Sequence, residues 1–206
     1  MTIAILRTVD AWWVRTPHGA ARVETEATTT RELLAEPEKL HTAASSKQTV
    51  EEATLDLLSP ATGPCRVVAQ MTNYASHVTD SGLDPETIPL TFFRKASGSI
   101  SGPFDDIVQP EHVRFLDYEV EIGLIIGRDL PVGTQVTDDN WTSYVAGLVV
   151  TNDVSARDIQ LPKTQFYESK SYPTFTPVGP ALVLLDSDEL KRFGDLRLRT
   201  LSLIHI

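Results

Sequence analysis

The chain has 206 residues, a net charge of −10 and 41% hydrophobic content, enough for one main domain with a real core. An acidic chain without a basic run has no electrostatic grip on nucleic acid or an anionic membrane. A single cysteine, Cys65, excludes an internal disulfide, no apolar run approaches the ~18 residues of a bilayer span, and no signal-peptide core opens the chain. The expected location is cytoplasmic.

Residues 1–60 read as a small N-terminal α/β domain. Thr2–Leu6 and Ala11–Val14 predict two short paired strands, with a turn over Arg15–Gly19. Thr30 predicts the N-cap of a helix over Arg31–Leu40, made irregular by Pro37. Thr42–Gln48 is small and polar, as in a linker, and Val50–Leu58 is amphipathic up to Ser59-Pro60. His18 and His41 lack partners at ligand spacing and read as surface residues, and Trp12-Trp13 reads as packing.

Arg66–Gln70 predicts a strand that leads into Asn73-Tyr74-Ala75-Ser76-His77. A helical turn over residues 74–81 would place His77 and Asp80 at i and i+3, within touching distance. A carboxylate beside an imidazole fixes its tautomer and raises its basicity, as a general base requires. Pro89–Lys95 predicts an apolar strand with Lys95 at its end, followed by a Ser/Gly-rich loop to Pro103. Neither G-x-x-x-x-G-K nor a strand-linked G-x-G-x-x-G is present, so no ATP or NAD is expected.

Phe115–Gly127 predicts a buried strand, apolar from Ile122 to Ile126. Alternation places Asp117, Glu119 and Glu121 on one face of it. Neighbouring carboxylates repel one another, and a hard divalent cation relieves that conflict. Tyr144–Thr151 predicts a second strand that ends beside Asp153, a third carboxylate positioned to complete a three-oxygen set. Arg157 and Gln160 follow four and seven residues later, on one face of a helical turn, with a fork for carboxylates and an amide beside it. Leu161–Glu168 predicts a loop, Lys170 follows it, and Pro177–Pro180 opens a last strand toward Leu185.

Five segments carry a resemblance, in order and spacing: Asn73–His77; Pro89–Lys95 with Ser99–Pro103; Asp117–Gly127; Val145–Gln160; and Lys170–Pro180. Across roughly residues 66–190 the chain resembles the fumarylacetoacetate hydrolase family. The resemblance implies a mainly β (α+β) fold, a mixed β-sandwich roll over residues 66–200, in a homodimer. It implies Mg²⁺ or Mn²⁺ on Glu119, Glu121 and Asp153, with Ca²⁺ also compatible. It gives His77 and Asp80 the role of base and partner, Arg157 and Gln160 the substrate pocket, and Lys170 the stabilisation of an enolate or oxyanion.

The implied reaction is hydrolysis of a C–C bond in an acylpyruvate or a fumarylacetoacetate-like diketo acid. The same centre would serve a lyase, decarboxylase or isomerase acting on oxaloacetate or aromatic ring-cleavage products. Members of the family continue past this point into a Thr-Gly-Thr-Pro-like loop, absent here. The expectation is therefore a C-terminally truncated member, with residues 201–206 a non-native tail, and an inactive fragment is the third reading.

Overall fold

The computed structural model describes residues 2–71, 79, 82, 84, 86, 87, 89–163 and 166–200. Three N-terminal strands form a meander, β1 (Ile3–Arg7), β2 (Trp12–Thr16) and β3 (Gly19–Arg22). The hairpin expected between the first two is present, with Ile5 opposite Val14 and Arg7 opposite Trp12. The single helix expected to start after Thr30 is instead two. Thr29 caps α1 (Thr30–Leu34) in a reciprocal capping box with Glu32, and Pro37 opens α2 (Pro37–Ala44) at its first turn. Proline lacks the N–H a helix interior needs but suits a helix start, so it ends one helix and begins the next. Val50–Leu58 forms only a short 3₁₀ turn over Glu52–Thr54.

Next come the hairpin of β4 (Val67–Met71) and β5 (Thr91–Lys95), the two-residue strand β6 (Ile100–Ser101), and β7 (Leu116–Asp117). The main strands β8 (Val120–Ile126) and β9 (Val145–Asn152) follow, then β10 (Ser155–Ala156) and α3 (Arg157–Lys163). Strands β11 (Thr176–Pro177) and β12 (Leu182–Leu184), the helix α4 (Ser187–Lys191) and a 3₁₀ turn over Phe193–Asp195 follow. The fold is mainly β.

One antiparallel sheet organises it, in the order β3-β2-β1-β12-β9-β8. The N-terminal meander therefore joins the later strands through β1 and β12, with Ile3 opposite Leu184 and Ile5 opposite Leu182. The packing is continuous as well. Ile3, Ile5, Trp12 and Val14 share one buried cluster with Leu33 and Leu40 of the helices and with Val149 and Leu182. The opposite face of β1 is also covered, because Leu6 packs with Ala20, Leu57 and Ala181. A smaller core of Val113, Val154, Ala156, Ile159 and Phe175 lies where β10, α3 and β11 meet.

The Phe115–Gly127 stretch is not one strand. Asp117 ends β7, which pairs with β10, whereas β8 begins at Val120 and pairs with β9. Between them the Glu119 N–H donates to the Asn152 side-chain oxygen at 3.0 Å, while the Glu119 carbonyl accepts from the Asp153 N–H at 2.8 Å. A side chain thus replaces one rung of the ladder, and the chain changes partner strand at that point. Leu161–Glu168 also differs from expectation, since α3 runs as far as Lys163.

Gly147 lies where β9 meets β12. A Cβ there would sit 2.0 Å from the Val183 carbonyl oxygen, a backbone atom that cannot rotate away. Gly147→Ala is expected to force these strands apart and to cost about 2 kcal/mol, which lowers the melting midpoint by roughly 4–8 °C. Thermal unfolding followed by circular dichroism measures it.

Candidate active site

The site forms where β8 and β9 hand over to the short strands β7 and β10. Glu119 precedes β8 and Asp153 follows β9, and the backbone bond between them sets the two residues side by side. Lys170 comes to them from the segment after α3, anchored by its N–H on the Phe166 carbonyl at 3.1 Å and by the Ala156 N–H on the Ser169 carbonyl at 2.8 Å. Its ammonium, 3% exposed as a residue, donates to Glu119 Oε2 and, at 2.5 Å, to Asp153 Oδ2. One buried cation therefore joins both carboxylates. The Phe93 ring covers it, with its centroid 5.3 Å from Nζ.

Arg157 closes the other side. Its Nη2 donates to Glu119 Oε1 at 2.7 Å, Nε to Asp117 Oδ2 at 2.8 Å, and Nη1 to Gln160 Oε1 at 2.7 Å. The two ends of the guanidinium fork thus engage separate acceptors, which fixes its plane. Arg157 and Gln160 stand at i and i+3 on α3, so the expected shared face exists. Buried Ser155 adds a hydroxyl bond to Glu119 Oε2 at 3.2 Å.

The electrostatics follow from this wiring. Burial alone pushes the Glu119 carboxyl up, but the Lys170 ammonium and the Arg157 guanidinium outweigh it and hold it down at about 2. Burial pulls Arg157 down, and Glu119 and Asp117 more than restore it. Asp117, Glu119 and Asp153 face Lys95, Arg157 and Lys170, three anions against three cations. The cluster is neutral as it stands.

Of the residues singled out in the sequence, the structure brings together Glu119, Asp153, Arg157, Gln160 and Lys170. His77 and Asp80 lie outside the described residues. Glu121 stands two residues beyond Glu119 on β8, opposite Thr151. Among the described residues, no group of three His, Cys, Asp or Glu side chains gathers to hold a metal ion. Glu119 and Asp153 alone suit one: they are hard oxygen donors, already converged on a single cation, the Lys170 ammonium.

Sequence reasoning gave Lys95 no firm place, yet it is buried with its ammonium on Asp153 Oδ1 at 2.5 Å. It gave no role to Asp117 as the partner of Arg157, nor to Ser155. The alternation that linked Asp117 to Glu119 was a usable signal for the first; nothing in the spacing pointed to the second.

Residues 66–202 match the family model described as fumarylacetoacetate (FAA) hydrolase C-terminal, and the chain belongs to that family. A mitochondrial oxaloacetate tautomerase of Rattus norvegicus is 36% identical over 139 residues, 67% of this chain and 43% of that protein. A 2,4-didehydro-3-deoxy-L-rhamnonate hydrolase of Sphingomonas sp. (strain SKA58) is 41% identical over 128 residues, 62% of this chain and 44% of that protein. The chain spans less than half the length of these relatives. Among solved structures, a probable 2-hydroxyhepta-2,4-diene-1,7-dioate isomerase from Mycobacterium abscessus superposes with a TM-score of 0.74 at 30% identity. That match covers 92% of this chain and 66% of the other.

The depressed Glu119 carboxyl has a consequence for stability against pH. A group held at about 2, below its ordinary 4.5, contributes stability that is complete above pH 4.5 and lost as the pH falls toward 2. Discounted for the part of the side chain that water reaches, the contribution is about 2 kcal/mol. The stability gap between the parent and Glu119→Gln is expected to be of that size at pH 6 and to close between pH 4.5 and 2. Urea unfolding in chelator-containing buffer across that range checks it.

Proposed function

We propose that this chain forms and stabilises the enolate of a small 2-oxo acid. The observation that carries the reading is the single buried ammonium of Lys170 shared by Glu119 and Asp153. Fixed cationic donors in a water-poor site hold negative charge that develops on an oxygen without reorganising at the moment of reaction. In this reading Glu119 and Asp153, joined by Glu121, hold Mg²⁺ or Mn²⁺. Such a cation supplies Lewis acidity to the enolate oxygen.

Charge balance supports an anionic substrate. The three anions and three cations named above cancel, so a divalent cation added among them brings positive charge for the substrate to meet. Arg157 and Gln160 bind the substrate carboxylate. Asp117 and Glu119 already engage the guanidinium, so the carboxylate exchanges for a bond that exists rather than meeting a bare cation.

Two reactions draw on this centre. In hydrolysis of an acylpyruvate, His77 paired with Asp80 takes a proton from water. The hydroxide adds to the acyl carbonyl, the C–C bond breaks to leave a carboxylic acid, and the departing pyruvate enolate takes up a proton. In tautomerisation, a proton leaves one position of the oxo acid and returns at another, with the enolate held in the same place. The rat relative, named as an oxaloacetate tautomerase, favours the second; the Sphingomonas relative, named as a hydrolase, favours the first.

The reading places the chain in the cytoplasm, where the exposed thiol of Cys65 stays reduced. No helix among the described residues is long and apolar enough to cross a membrane. It also makes the working form a homodimer, supported by exposed apolar side chains on edge strand β8 (Leu124, Ile126) and on the β4–β5 hairpin (Val68, Phe92).

Assays of this chain with Mn²⁺ on an acylpyruvate and on enol-oxaloacetate test the reading. At least one activity is expected, and Lys170→Met is expected to lower it roughly 10²–10³-fold. His77→Ala is expected to abolish hydrolysis selectively. Absence of both activities, or full activity in Lys170→Met, would contradict the proposal.

A further inference from the structure

Asp153 is served by two ammonium groups, one on each oxygen: Lys170 on Oδ2 and Lys95 on Oδ1. Lys170 is shared with Glu119, so Lys95 completes the charge balance of the cluster, but a counter-charge alone has no need of a fixed geometry, and that of Lys95 is fixed. Lys95 ends β5, its side chain is only 2% exposed, and its ammonium also donates to the Phe175 carbonyl at 2.8 Å. Phe175 is itself fully buried in the small core beneath the site. The Lys95 ammonium is therefore held by main chain and packing, whereas among the described residues the Lys170 ammonium donates to side-chain carboxylates and lies over the Phe93 ring.

Resting on the proposed enolate-stabilising centre, we infer that Lys95 is the positioning residue for Asp153. It pins Oδ1 to the Phe175 main chain, so that Oδ2 is the oxygen turned toward Glu119 and toward a bound divalent cation. The β4–β5 hairpin thereby sets the geometry of a ligand carried by β9. Carboxylate ligands depend on such outer partners for orientation, and losing one typically costs 10–100-fold in metal affinity.

The sign of the effect separates positioning from simple charge compensation. A counter-charge, when removed, leaves the site around Asp153 more negative and tightens binding of a divalent cation. A positioning group, when removed, frees the carboxylate to rotate and weakens it. Mn²⁺ affinity, measured by electron paramagnetic resonance on the parent, Lys95→Met and Lys95→Arg, reads that sign, with thermal unfolding as the check on folding.

Lys95→Met is expected to bind Mn²⁺ at least ~10-fold more weakly, and Lys95→Arg, which keeps charge and donors, to recover most of the loss. Equal or tighter binding by Lys95→Met overturns the inference and leaves the proposed centre standing. Should Lys95→Met not fold, Lys95→Gln decides on the same criterion. No Mn²⁺ binding by the folded parent overturns the inference and the proposed centre together.

Discussion

A buried ammonium held between two carboxylates is the constraint around which this structure is arranged. Neither Glu119 nor Asp153 could lie beside the other out of water without a cation between them, because uncompensated buried charge costs several kcal/mol. Lys170 resolves that conflict, and its own burial is tolerable only because both carboxylates accept from it. Removing any one of the three leaves the cluster with an unbalanced charge. The group is thus one unit, reinforced outside by Arg157 on Glu119 and by Lys95 on Asp153.

The sheet explains how residues so far apart in sequence meet. β8 and β9 pair along nearly their whole length, so the start of one lies against the end of the other. Glu119 and Asp153 occupy those two ends, and their backbone bond locks the register there. Beyond it the chain leaves the large sheet for the β7–β10 pair, which supplies Asp117 and leads into the helix that carries Arg157 and Gln160. The N-terminal meander makes no contact with the charged cluster through the bonds described. It contributes through β1 and β12, which complete the sheet on which β9 rests.

Much of this was legible in the residues. The apolar strands were visible because each is a run of β-branched residues closed by a turn, and Asp153 because such a run ends beside it. The family resemblance added the partners from distant segments. What sequence could not give were the consequences of side chains substituting for backbone. Asn152 interrupts the ladder and splits a run of apparent alternation into two strands in different sheets. Lys95 shows the same limit in another form. A lysine at a strand end reads nearly as well as a surface residue as one near an active site, and only the tertiary placement of Asp153 and the Phe175 carbonyl makes its burial affordable. Pro37 was visible as a disturbance, but that it starts a second helix depended on α2 packing Leu40 and Ala43 into the main core.

The central claim is that the Glu119–Asp153 pair holds a cation that faces an enolate. Thermal unfolding with Mn²⁺ and oxalate, a planar mimic of enolpyruvate, compared with unfolding in chelator, tests it most directly. With both ligands at about one hundred times their dissociation constants, the account predicts a rise equivalent to roughly 2.7 kcal/mol, lost in Glu119→Gln. A cooperative transition that ignores Mn²⁺ and oxalate, or a rise that survives in Glu119→Gln, would contradict it.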